Sequence, residues 1–200
     1  MTRIERRDWS QVMGEQGISL ITVMMAILIM TLMGISILAV TGFERQISSS
    51  VSASEASTDA AESCVSLGAT VLNQFFDDKF ISPAFLSNAV PPGPIPFTNL
   101  AALTNELKIN GGNADVPVGA GAVPNLTMTI GNYQVFGDID RLYWNPAAGS
   151  QVNSDGTLSL MDYFYQITCV SQNVNTGLTS QVAAVYVCNN TGSYCQRKLY

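Results

Sequence analysis

The chain has 200 residues, of which 47% are hydrophobic and 12% charged, with nine Lys+Arg against fifteen Asp+Glu and a net charge of -6. A soluble domain carries roughly twice that charged share, and a general nucleic-acid binder shows a basic face, so nucleic acid is excluded as a partner. The chain has no histidine, which removes Ser-His-Asp and Cys-His catalysis and every His-ligated metal site.

The first element is apolar. No charged residue lies between Glu15 and Glu44, and Ile18–Phe43 reads ISLITVMMAILIMTLMGISILAVTGF. At about 1.5 Å per residue this is a helix of roughly 39 Å, and a bilayer core needs about 20 such residues. Thirteen of its positions are Leu, Ile, Val or Phe, which together favour insertion by about 4–8 kcal/mol. Arg3, Arg6 and Arg7 precede the span, whereas Arg45 is the only basic residue after it before Lys79. That excess places the N-terminal side in the cytoplasm and exports everything from Glu44 on. A secretory signal peptide, with Ala39-Val40-Thr41 as its weak cut, would have an apolar core of about 7–15 residues, and this one is nearly twice as long. A plain signal anchor is the other simple reading.

The residues around Gly14-Glu15-Gln16-Gly17, followed by Ile18-Ser19-Leu20-Ile21-Thr22, resemble the class III leader of type IV pilin-like proteins. The resemblance implies that prepilin peptidase cuts after Gly17 on the cytoplasmic side, and that Ile18 becomes the new N-terminus and is N-methylated. Leu20 and Ile21 fit the motif, Ser19 replaces its usual Thr, and Gln16 departs from its usual Lys or Arg. Thr22 occupies the subunit-docking position, where major pilins carry a Glu that pairs with a neighbour's N-terminal amine. A carboxylate there costs roughly 3 kcal/mol in lipid unless paired, whereas a threonine hydroxyl can bond a carbonyl one turn back. This departure implies a minor subunit, at or near a filament tip.

The helix is predicted to continue to about Phe76, through the Ser-rich run Ser48–Ser52, whose other reading is a flexible linker. Ala53, Ala56, Ala60, Cys64, Leu67, Val71 and Phe75 fall on one helical face, with Glu55, Asp59 and Glu62 off it. Ala60-Ala61-Glu62 matches a signature of PilX-type minor pilins. Asp77-Asp78 marks the helix exit. Residues 82–125 hold seven of the eight prolines and read as loop, including Pro91–Pro96 and the turns Asn110-Gly111-Gly112-Asn113 and Gly119-Ala120-Gly121. A short helix at Asn99–Lys108, capped by Thr98 or Asn99, interrupts it.

Alternation resumes at Leu126. Leu126–Ile130 and Tyr133–Phe136 flank the hairpin turn Gly131-Asn132, and Ile139–Trp144 is a further strand patch. Asn145–Gly156 reads as loop. Leu158–Val170 and Leu178–Val187 form a second hairpin about Asn175-Thr176-Gly177. Helix, loop and hairpins make an α+β fold with one sheet face on the helix stripe. The resemblance makes it type IV pilin-like, and Tyr165-Gln166-Ile167-Thr168 resembles the penultimate strand of PilX-type proteins. The divisions are 1–17 (leader), 18–43 (membrane and filament-core helix), 44–80 (amphipathic half), 81–125 (loop region) and 126–200 (sheet with a C-terminal disulfide loop).

Cys64, Cys169, Cys188 and Cys195 all follow the span, and none forms a CxxC pair. Oxidising conditions beyond the membrane favour disulfides. A hairpin about Asn175-Thr176 sets Cys169 opposite Val182 and Cys188 near Tyr163. The two cysteines are then roughly 20 Å apart along the ladder, beyond the about 7 Å limit for a bridge. The preferred pairs are therefore Cys188–Cys195 and Cys64–Cys169. Asn153-Ser154-Asp155-Gly156, with Asp138 and Asp140, is a faint calcium pattern without the distal Glu of an EF-hand, so a solvated turn is the default. Tyr143-Trp144 reads as core aromatics at a strand end rather than a binding platform.

The resemblance implies a PilX-type minor pilin of a type IV pilus. Such a subunit acts in assembly initiation or the tip complex, with twitching motility and adhesion as associated roles. It is held in the inner membrane by a single pass before joining the extracellular fibre. Its partners would be prepilin peptidase, other minor pilins and the major pilin, the inner-membrane assembly platform and membrane lipid, with no cofactor and no metal. The alternatives are a minor pseudopilin of type II secretion, a tip adhesive module binding through 82–125, and a membrane-anchored periplasmic enzyme. Against the enzyme stand the missing histidine, the lack of a close acid pair and the lack of a nucleophile elbow.

Overall fold

The computed structural model describes residues 10–108, 116–153, 159–189 and 195–198, with side chains described from Ser19 on. Helix α1 runs Ser10–Asp78. The chain divides into two units, Met1–Ser52 and Ala53–Tyr200. The predicted continuity through the Ser-rich run holds, and the helix begins eight residues earlier than the expected Ile18.

In the first unit every side chain from Ser19 to Ser52 is exposed, among them Met30 at 74% and Leu38 at 73%. A surface so apolar is not one that water stabilises. The hydroxyls along it are turned inward. Thr22 Oγ1 donates to the Ser19 carbonyl at 2.9 Å, Thr31 to Leu28 at 2.8 Å, Ser36 to Leu32 at 2.8 Å and Thr41 to Leu38 at 3.0 Å. Hydroxyls bonded back in this way leave no unsatisfied donor in an apolar medium, where each would cost several kcal/mol. By length and composition the segment can cross a membrane.

The second unit holds residues 53–78 of α1, the short helix α2 (Leu100–Lys108) and five strands, β1 (Leu126–Ile130), β2 (Tyr133–Pro146), β3 (Met161–Asn173), β4 (Thr179–Asn189) and β5 (Cys195–Arg197). The strands form one antiparallel meander in the order β1-β2-β3-β4-β5. The patch at Ile139–Trp144 is not a separate strand. It continues β2 through a bulge at Arg141/Tyr143, and the loop expected from Asn145 begins only after Pro146.

Successive side chains alternate between the two sheet faces. Val135, Ile139, Tyr165, Ile167, Cys169, Ser171, Ala184, Tyr186 and Cys188 are buried with the helix residues Ala60, Ala61, Cys64, Val65, Val71, Leu72, Phe75 and Phe76. The helix face differs slightly from the expected stripe. Ala56 is exposed and Ser57 is fully buried, because Ser57 has a polar partner in the sheet. Ser171 Oγ donates to the Ser57 carbonyl at 2.6 Å, so the 2.7 Å contact between the two hydroxyls has Ser57 as its donor. Tyr133 adds a bond from its hydroxyl to the Ala53 carbonyl at 3.1 Å. Glu55, Asp59 and Glu62 are exposed, as expected.

Two glycines set how closely helix and sheet approach. A Cβ at Gly68 would lie 2.9 Å from Ile167 Cγ2, and one at Gly137 would lie 2.5 Å from Cys64 Sγ. α1 ends with Lys79 in the left-handed region at φ 61°, its N–H bonded to the Phe75 carbonyl and its ammonium to the Phe76 carbonyl.

The connecting region is held by backbone pairing rather than by side-chain periodicity. Ser87 N–H bonds Ile95 O, Ile95 N–H bonds Phe85 O, and Thr127 N–H on β1 bonds Pro94 O. Gly93 sits so close to the Phe85 backbone that no Cβ fits there. α2 begins one residue after the expected start. Asn99 belongs to a 3₁₀ turn (Phe97–Asn99), and its amide bonds the Pro124 carbonyl at 2.8 Å, so it serves the loop rather than capping the helix. The expected turn at Asn110–Asn113 lies outside the described residues.

Candidate functional site

The residues singled out around the leader junction fall inside α1. Gly17 and Ile18 are helical, seven and eight residues after the helix start, and Arg3, Arg6 and Arg7 lie outside the described residues. Thr22 is one turn further on, with its hydroxyl spent on the Ser19 carbonyl. From Gln16 to Phe43 the helix carries no charge.

The two disulfides are Cys64–Cys169 and Cys188–Cys195, the preferred pairs, with Cα–Cα distances of 6.1 and 4.2 Å. The register behind them is the expected one, with Cys169 opposite Val182 and Cys188 opposite Tyr163. The first bridge joins helix to sheet. Gly137 makes room for it, since a Cβ there would also lie 3.1 Å from Cys169 Sγ. The second closes β5 against β4, and the Cys195 N–H also bonds Asn73 Oδ1 of the helix at 2.6 Å. Residues 190–194 of its loop lie outside the described residues.

Asp138 and Asp140 lie on the sheet face away from the helix, opposite Thr168 and Gln166 on β3. With Val116–Val118, Val170 and Gln181 they line a cleft of about 310 Å³. Asp138 is fully buried. Its Oδ1 and Asn125 Oδ1 share the Ile139 N–H at 3.1 and 2.7 Å, so Asn125 takes a ladder donor of β2 beyond the end of its pairing with β1. Ser154, Asp155 and Gly156 of the calcium pattern lie outside the described residues, and no group of three His, Cys, Asp or Glu able to hold a metal occurs among the described ones.

Tyr143 and Trp144 are 43% and 38% exposed, so neither is a core aromatic. Tyr143 stacks on Phe164 at 4.4 Å between ring centroids, and the Lys198 ammonium lies 4.8 Å from the same Phe164 ring. Tyr165, next to Phe164 on β3, is almost fully buried. Its ring meets Phe76 edge-on and its hydroxyl donates to the Leu107 carbonyl at 2.8 Å, joining α1, β3 and α2. Burial pushes its pKa from 10.0 to about 12, partly offset by the positive charge of Arg141.

Sequence reasoning missed the Ser57–Ser171 pair, because two serines carry no pairing signal, and the role of Asn125. It also passed over Gly137, although a glycine inside a strand pattern signals a close approach. No family model matches the chain, and no curated protein or solved structure matches it either.

Proposed function

We propose that this chain is a minor subunit of a type IV pilus, held in the inner membrane by residues 18–43 and carried into the fibre by the same stem. The observation that carries the reading is the stem itself, a helix uncharged from Gln16 to Phe43 whose hydroxyls at Thr22, Thr31, Ser36 and Thr41 all bond back to its own carbonyls. Such a surface trades lipid contacts for contacts with other apolar helices at little cost, because the polar groups need no new partner in either setting. Met24, Met25, Met30 and Met33 supply side chains that adapt to unlike neighbours. Thr22 leaves the subunit without the docking carboxylate of a major pilin, which suits a position at the start of the fibre rather than a repeated one. The second unit has its own core and disulfides and would choose neighbours. The reading is not enzymatic.

N-terminal sequencing of the chain expressed with and without prepilin peptidase tests this. The expected mature chain begins at a methylated Ile18. A chain that keeps Met1 in the presence of the peptidase, or one that starts near residue 42, overturns it. Ala60-Ala61-Glu62 favours the pilus over type II secretion. Deletion should accordingly abolish surface fibres or twitching, whereas a defect confined to protein export would assign the chain to the secretion pseudopilins.

A further inference from the structure

The proposed cut lies within an α-helix. α1 starts at Ser10, so the Gly17–Ile18 bond is about two turns inside it. Hydrolysis adds water to the Gly17 carbonyl carbon, breaks its C–N bond to Ile18, and leaves a carboxylate on Gly17 and an amine on Ile18. In a helix the Ile18 N–H donates to the Gly14 carbonyl, closing a turn over the scissile bond, and the Gly17 carbonyl carbon is shielded by the adjoining turns. The bond cannot be attacked until the turn is opened.

Opening is costly on one side of the bond and cheap on the other. From Ile18 on the chain is apolar, and freeing its peptide groups in lipid leaves them without partners. On the leader side lie Glu15, Gln16 and two glycines, Gly14 and Gly17; the next glycine is Gly34. Each glycine weakens a helix relative to alanine. We propose that Gly14 is a positioning residue for processing. Three residues before Gly17, it loosens the turn that spans the scissile bond, so that residues 14–18 can be drawn out straight while the stem stays helical. This rests on the reading that Gly17–Ile18 is the cut. Gly14 is the informative position because it is outside the bond itself, so changing it leaves both residues of the cut unaltered.

Alanine is smaller than asparagine but forms helix better, so the two substitutions separate loosening from steric fit. The experiment uses the full-length precursor in phospholipid vesicles with purified prepilin peptidase, comparing the native chain with Gly14→Ala and Gly14→Asn. Cleavage efficiency should be highest for the native chain, about four- to fivefold lower for Gly14→Ala, and intermediate for Gly14→Asn. Hydrogen exchange at the Gly17 and Ile18 amides should slow in the same order. Equal cleavage rates, or rates that do not follow the exchange order, such as Gly14→Asn cut more slowly than Gly14→Ala, overturn the role of Gly14 and leave the cut intact. A native chain that is not cut after Gly17 overturns the cut as well.

Discussion

In the stem, Thr31 turns its hydroxyl onto the Leu28 carbonyl of its own helix. In the second unit, Ser57 and Ser171 reach each other from helix and sheet across a buried interface. The same contrast holds for apolar surface. Leu38 and Met30 lie open on the stem, while Leu72 and Ile167 have no exposure at all. One region satisfies its polar groups internally and leaves its apolar surface for surroundings that are not water. The other closes its own core and uses polar groups to fix how its parts meet. The two regions should therefore respond differently to the same chemical change.

The largest expected effect is on the link between helix and sheet. Cys64–Cys169 joins residues 105 apart in sequence, and Cys188–Cys195 residues 7 apart. Loop-closure entropy makes the first worth about 4–5 kcal/mol and the second roughly half of that. Cys64→Ala with Cys169→Ala should lower the melting temperature of the second unit by roughly 10–20 °C, and should leave membrane retention of the stem unchanged. A larger loss from opening Cys188–Cys195, read by thermal denaturation in detergent, would break the comparison. It would show that the C-terminal hairpin, and not the helix seat, limits the stability of the unit.

Alkaline pH probes the same unit at its other end. Burial holds the Tyr165 pKa at about 12 in the folded chain, against 10.0 for a free side chain. The stability linked to this group is fully present below pH 10. It is lost as pH rises through about 12, because above pH 10 the unfolded chain gives up the proton first. The loss over that window is about 2–3 kcal/mol. Denaturant midpoints from pH 9 to 12 should fall for the native chain and fall less for Tyr165→Phe. Equal slopes would mean that the phenol is not buried against Leu107 as described.

The sheet register was legible from sequence because two short turns, Gly131-Asn132 and Asn175–Gly177, fix it, and the cysteine pairs follow from the register. The α+β order was legible for the same reason, since periods of 3.6 and 2 survive in the helix and the strands. The helix face was read slightly wrongly. Hydropathy placed Ala56 on the buried stripe, whereas its neighbour Ser57 is the buried residue, bonded to Ser171 across the interface. Residues 82–125 stayed opaque because their shape depends on backbone pairing such as Thr127 with Pro94 and on Gly93 lying against Phe85, which leave no periodic trace. Gly17, Ile18 and Thr22 were picked out from sequence alone. Their place inside a helix that begins at Ser10 was not, because the apolar run that marked the helix starts only at Ile18.

The smallest effect is also the most direct comparison of the two regions. Ser171→Ala removes the acceptor of the Ser57 hydroxyl and the second bond to the Ser57 carbonyl. Ser57 is fully buried, so the orphaned donor should cost about 1–3 kcal/mol. Thr31→Val removes a hydroxyl of the same kind from the stem, where its partner among the described residues is a carbonyl of its own helix. That change should leave membrane retention and helix content within about 0.5 kcal/mol of the native chain. Denaturation of the second unit reads the first variant, and circular dichroism with membrane fractionation reads the second. If Thr31→Val proved the more damaging, the Thr31 hydroxyl would have a partner beyond its own helix, and the stem would be a specific interface rather than a polar-quiet rod.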